Sequence, residues 1–102
     1  MKEVNEKNRY KLMVILEPPS SDIELRALAA NYANQFRSLG ASAVSIVSRG
    51  KRNLVYVLSQ SKIGYYVEMG FQSSPQILPT CEAKLKLDKN VLRYMIFNED
   101  KG

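Results

Sequence analysis

Histidine is absent from this chain, and cysteine occurs once, at Cys81. The first absence removes the commonest general base, the Ser-His and Cys-His nucleophile arrangements, and the usual zinc sites. The second excludes an intramolecular disulfide and fits a reducing compartment. No apolar run approaches the ~20 residues that span a bilayer, so no membrane-embedded role is expected. The stretch from Met1 to Asn8 has no apolar core and alternates its charges, unlike a secretory signal or an Arg/Ser-rich transit peptide. Carboxylate pairs offer no chemistry either. Glu17 stands before two prolines, and Asp22 with Glu24 opens a helix, positions that loop and cap chemistry explains better than acid–base catalysis. The chain is therefore expected to be no enzyme, with no catalytic residue, metal ligand, cofactor or small-molecule substrate.

What is present suits one small domain. Its 102 residues are 45% hydrophobic and 25% charged, enough apolar surface for a single core without staples. The net charge of +5 favours an anionic partner, or serves solubility alone.

Tyr10 to Leu16 is β-rich and apolar on both faces apart from Lys11, as a central strand would be. Glu17-Pro18-Pro19 ends it, because proline cannot donate to a ladder. Ser21 with Glu24 three residues on is a capping-box pattern. Leu25, Leu28, Ala29, Tyr32, Phe36 and Leu39 follow at helical spacing, and Gly40 stands where a helix C-cap belongs. Ala41 to Leu58 reads as a long strand with a bulge at Gly50. Ser59 to Gly64 reads as a hairpin loop, and Tyr65 to Phe71 as the returning strand. Ser74-Pro75 opens a second helix with Leu78, Cys81 and Leu85 as its apolar stripe. Pro79 is a difficulty there: either the helix begins at Pro79 or its first turn is irregular. Cys81 on that stripe reads as core packing. Asp88-Lys89-Asn90 turns the chain into a last strand, Val91 to Asn98.

The order strand, helix, strand, strand, helix, strand implies an α+β ferredoxin-like βαββαβ fold, a four-stranded antiparallel sheet with both helices on one face. The domain spans residues 9–98, between a short polar extension (1–8) and a polar tail (99–102). The second sheet face is left uncovered.

Four stretches carry a family resemblance: Arg9-Tyr10; Arg49-Gly50-Lys51-Arg52-Asn53-Leu54-Val55-Tyr56; Gly64-Tyr65-Tyr66; and Leu85-Lys86-Leu87-Asp88-Lys89-Asn90-Val91-Leu92-Arg93-Tyr94. Together they resemble the signature of the bacterial and plastid sixth protein of the small ribosomal subunit, over about Arg9 to Phe97. The resemblance implies a structural constituent of that subunit's platform, in bacterial cytoplasm or plastid stroma. It would bind small-subunit ribosomal RNA together with the eighteenth small-subunit protein. Two other classes on the same fold compare poorly. A small-ligand regulatory module wants a glycine loop after the first strand. An acylphosphatase-like enzyme wants backbone N–H donors there. Glu17-Pro18-Pro19 supplies neither.

The candidate RNA-binding residues are Arg9, Arg49, Lys51, Arg52, Lys89 and Arg93. Around Gly50, a bulge aims cations at phosphates, or a charged edge strand discourages aggregation. Lys7, Arg9 and Lys11 could join Lys84, Lys86, Lys89 and Arg93 in one basic margin, since the first and last strands are neighbours. Tyr65-Tyr66 lacks the pattern of an RNA-recognition motif. Alternation puts Met13, Ile15, Tyr66, Met95 and Phe97 on the open face, a candidate protein-partner patch.

Overall fold

The computed structural model describes residues 7–17, 21–58 and 61–100, and for 55–58, 61 and 62 the backbone alone. Pro18, Pro19, Ser20, both chain ends, and Ser59 and Gln60, where the hairpin loop is expected, lie outside the described residues.

In chain order the elements are β1 (Asn8–Leu16), α1 (Asp22–Ser38), β2 (Ser42–Leu58), β3 (Ser61–Ser73), a 3-10 turn (Pro75–Ile77), α2 (Leu78–Leu87) and β4 (Val91–Asn98). The strands form one antiparallel sheet in the order β2-β3-β1-β4.

Local chemistry accounts for the helix ends. The Ser21 hydroxyl accepts the Glu24 N–H at 3.2 Å, so α1 starts on the expected cap. At its other end the Gly40 N–H donates to the Arg37 carbonyl and the Ala41 N–H to that of Phe36, both at 3.0 Å. These paired bonds close the helix as a Schellman motif. Pro79 resolves the alternative left by the sequence. The first turn is 3-10, α2 begins at Leu78, and Pro79 falls in its first turn, where the missing N–H has no partner to lose.

The core lies between the helices and one sheet face. Leu12, Val14 and Leu16 of β1 and Val67, Met69 and Phe71 of β3 meet Leu25, Ala29, Tyr32 and Phe36 of α1 and Cys81 and Leu85 of α2. Cys81 is fully buried, and desolvation pushes its thiol up to about 11. It is a packing residue and a poor nucleophile. Two polar ties brace the helices: the Tyr32 hydroxyl donates to Asp88, and that of Tyr94 to Glu82 at 3.0 Å.

The β2–β3 hairpin differs from the expected fold. β3 starts at Ser61 rather than Tyr65, and its pairing with β2 continues to Leu58↔Ser61. β1 stops at Leu16, opposite Tyr65. The end of the β2–β3 hairpin therefore runs on past the body of the sheet.

Candidate nucleic-acid and protein interface

The register sets out the uncovered face row by row. Gly50, Tyr66, Ile15 and Arg93 align across β2, β3, β1 and β4. Val47, Glu68, Met13 and Met95 form the next row, and Ser45, Gly70, Lys11 and Phe97 the one after. The register slips between Ser48 and Gly50, so Arg49 bulges from the ladder, as expected near Gly50.

This face carries a ladder of alternating charge. Arg49 Nε donates to Glu68 Oε1 at 2.7 Å, Lys11 Nζ lies 3.3 Å from Glu68 Oε2 and 3.5 Å from Glu99 Oε2, and Arg9 Nε lies 3.8 Å from Glu99 Oε1. Arg9 goes further: its Nη1 donates to the Ala43 carbonyl at 3.3 Å. It reaches there across Gly70, where a Cβ would stand 2.9 Å from Arg9 Nη2 and 2.9 Å from Ser45 Oγ. A side chain at position 70 would displace that bridge.

The ladder tunes its members. The hydrogen bond from Arg49, joined by that from Lys11, holds the Glu68 carboxyl below its ordinary 4.5 against the opposing pull of desolvation. The bond to Glu68 in turn raises Lys11 above its ordinary 10.5. A carboxyl whose folded value is lowered contributes stability that is complete above the ordinary value and lost as pH falls through the folded one. Acid titration of the folded protein is therefore expected to show a loss of stability beginning below 4.5, and Glu68→Gln to flatten that limb. Urea midpoints across that range check it; an identical acid limb in the variant refutes it.

Three expectations change against this geometry. Arg9 and Arg49 are not unpaired cations: Arg9 meets Glu99, just past the end of β4, Arg49 meets Glu68 on β3, and Arg9 also ties β1 to β2. The single basic margin dissolves. Arg9 lies beside Glu99, while Arg93 pairs with Ile15, six residues along β1, roughly 20 Å away at ~3.4 Å per residue. Ile15 is no part of an exposed patch either, with 6% of its surface accessible. Gly64 explains the cover. A Cβ there would stand 2.5 Å from Ile15 Cγ2 and 3.2 Å from a Leu54 methyl, so bare backbone lets Leu54 and Ile15 close over β3.

The remaining candidates divide in two. Met95 and Phe97 are exposed on β4 at 39% and 48%, with Met13 half-buried beside them. Lys51, Arg52, Lys89 and Arg93 are exposed and have no ion pair among the described residues. All four belong to one end of the sheet, where β1 finishes and β4 begins: Lys51 pairs with Tyr65, Arg52 with Gly64, Arg93 with Ile15, and Lys89 is in the turn before Val91. Arg52 also lies over the Tyr66 ring, 5.4 Å from its centroid. The residues that sequence reasoning missed are Glu68 and Glu99 as partners of the cations, Leu54 as cover for Ile15, and Val47, exposed on the β2 side.

Among the described residues no cluster of carboxylate and thiol groups could hold a metal ion, and no helix is long and apolar enough to cross a membrane.

The family model described as ribosomal protein S6 matches residues 9–98. The chain belongs to the ribosomal protein S6 family. It is 40% identical to small ribosomal subunit protein bS6c of Trieres chinensis over 91 residues, 89% of this chain and 95% of that one. It is 35% identical to the bS6c protein of Phaeodactylum tricornutum, over 89% and 93% of the two chains. The crystal structure of 30S ribosomal protein S6 from Thermotoga maritima superposes with a TM-score of 0.85 at 18% identity, covering 94% of this chain and 91% of that one. That likeness shows the ferredoxin-like fold. Members of the S6 family are structural proteins of the small ribosomal subunit and not enzymes. The chain's place is the ribosome, in a bacterial cytoplasm or a plastid.

Proposed function

We propose that this S6-family protein binds small-subunit ribosomal RNA through the cations at the β4-entry end of its sheet, and pairs with the eighteenth small-subunit protein through Met13, Met95 and Phe97. The observation that supports the RNA half is the grouping of Lys51, Arg52, Lys89 and Arg93 at one end with no carboxylate partner among the described residues, while Arg9 and Arg49 are paired with Glu99 and Glu68. Phosphate contact is sequence-independent and releases counterions, so it is read in the salt dependence of binding. For the protein half, Met and Phe side chains exposed on adjacent strands are the types enriched in interface cores.

The two groups of cations supply the test. Binding to a central-domain fragment of small-subunit rRNA is measured across a salt series, with the eighteenth protein present. Each of Lys51→Ala, Arg52→Ala, Lys89→Ala and Arg93→Ala is expected to lower the log–log slope, by about 0.9 where the cation meets a duplex phosphate or about 0.7 where it meets a single strand. Arg9→Ala and Arg49→Ala are expected to leave it near that of the unsubstituted protein. Six equal slopes would remove the distinction and with it this placement of the RNA surface.

A further inference from the structure

The open face is concave beside β2. Lys11, Met13, Arg49, Arg52, Tyr66 and Glu68 line a cleft of about 390 Å³, within the range of small-ligand sites. Among the described residues its lining mixes one aromatic ring, one thioether, three cations and a single carboxylate. That balance favours an anion, and the ring with its guanidinium favours a flat one.

We propose that this cleft takes one unpaired nucleotide of the RNA, its base stacked against the Tyr66–Arg52 pair and its phosphate beside Arg52. The proposal rests on the RNA-binding reading above and adds to it a site for a base.

Four features support it. Arg52 Cζ lies over the Tyr66 ring, 5.4 Å from its centroid, and aromatic rings and guanidinium groups are the side chains on which unpaired bases stack. Tyr66 is half-buried between Gly50 and Ile15 in its row, so its ring is held rather than free to rotate away. Glu68 supplies an acceptor. Arg49 and Lys11 keep it ionised and each takes one of its oxygens, leaving further lone pairs for the Watson–Crick edge of a base. Guanine, with adjacent N1–H and N2–H donors, matches a carboxylate best. Last, the described residues of the cleft carry two more positive than negative charges, counting Arg49, Arg52 and Lys11 against Glu68. Glu99, the other partner of Lys11, is not among the lining residues. A duplex has no projecting base to fill such a hollow, whereas a splayed nucleotide does.

The test is titration of the full chain with guanosine 5′-monophosphate, followed through backbone amide resonances. The expected result is shifts grouped at residues 11, 13, 52, 66 and 68, and a contact between the base H8 and the Tyr66 ring protons in the unsubstituted protein. Binding should weaken roughly fivefold or more in Tyr66→Leu and persist in Tyr66→Phe, with circular dichroism confirming that each is folded. Uridine 5′-monophosphate should bind more weakly, and inorganic phosphate alone should leave Tyr66 unmoved. Shifts reproduced by phosphate alone, or the absence of any base–Tyr66 contact, would overturn the stacking site. So would cleft amides that ignore every nucleotide and respond only to the eighteenth protein. Lys89 and Arg93 lie outside the cleft lining. If Lys89→Ala and Arg93→Ala still flatten the salt dependence of rRNA binding while the cleft stays silent, this inference fails and the RNA-binding reading stands. If neither variant changes it, the reading itself fails.

Discussion

Phe36→Ala is expected to destabilise the fold by about 3–5 kcal/mol, the range for deleting a fully buried phenyl group. Phe36 has no accessible surface, and its ring centroid lies 5.5 Å from that of Phe71 and 6.2 Å from that of Tyr32. Phe71 in turn lies 5.7 Å from Tyr10. One ring removed from the middle of this row separates α1 from β3 and β1 and leaves a cavity that stiff neighbours cannot fill. A domain of this size holds only about 5–15 kcal/mol in total. The melting temperature should therefore fall by at least ~12 °C, at ~4 °C or more per kcal/mol. Urea midpoints at unchanged m-value check it. Phe97→Ala is the control, since Phe97 is half exposed and surface substitutions stay within about 0.5 kcal/mol. Equal losses in the two variants would mean that the aromatic row is not the centre of the core.

How far the sequence foretold this structure depends on how far each interaction reaches along the chain. The ends of α1 were legible because Ser21 and Gly40 act within a turn of where they stand. The inward sets of β1 and β3 were legible because alternation needs no partner. The start of β3 was hidden: past Leu16 the β2–β3 arm has no β1 beside it, and the polar, glycine-ended stretch Ser61 to Gly64 reads as loop. Pro79 was ambiguous because a 3-10 first turn leaves no separate mark.

The site was less legible, since its decisive contacts cross strands. The parity of Glu68 and Lys11 already put both on the open face. That they meet, and that Arg49 joins them, depends on the register and on the slip at Gly50. The same holds for the cations. Arg9 and Arg93 sit on neighbouring strands, but antiparallel pairing carries them to opposite ends. Neighbouring strands do not make neighbouring residues. Ile15 shows the limit most plainly, because its cover comes from Leu54 on a strand that does not pair with β1.

That cover separates two substitutions that strand parity alone would class together. Ile15 and Phe97 both face away from the helices, yet Ile15 is buried at 6% and Phe97 exposed at 48%. Ile15→Ala is expected to cost about 2–4 kcal/mol, toward the lower part of the range for a buried isoleucine, because Leu54 is a side chain that can settle partly into the gap. The Ile15→Ala protein that remains folded should keep its affinity for the eighteenth small-subunit protein, since the residue has almost no surface to offer. Phe97→Asp should do the reverse. Its stability should stay near that of the unsubstituted protein, and its affinity for that partner should fall tenfold or more, ~1.4 kcal/mol, because an ion replaces an apolar side chain on the β4 side of the open face. Chemical denaturation and calorimetric titration against the purified partner read the two effects separately. Weakened binding in folded Ile15→Ala with full affinity in Phe97→Asp would move the partner surface away from β4 and toward the β2 side, where Val47 is exposed.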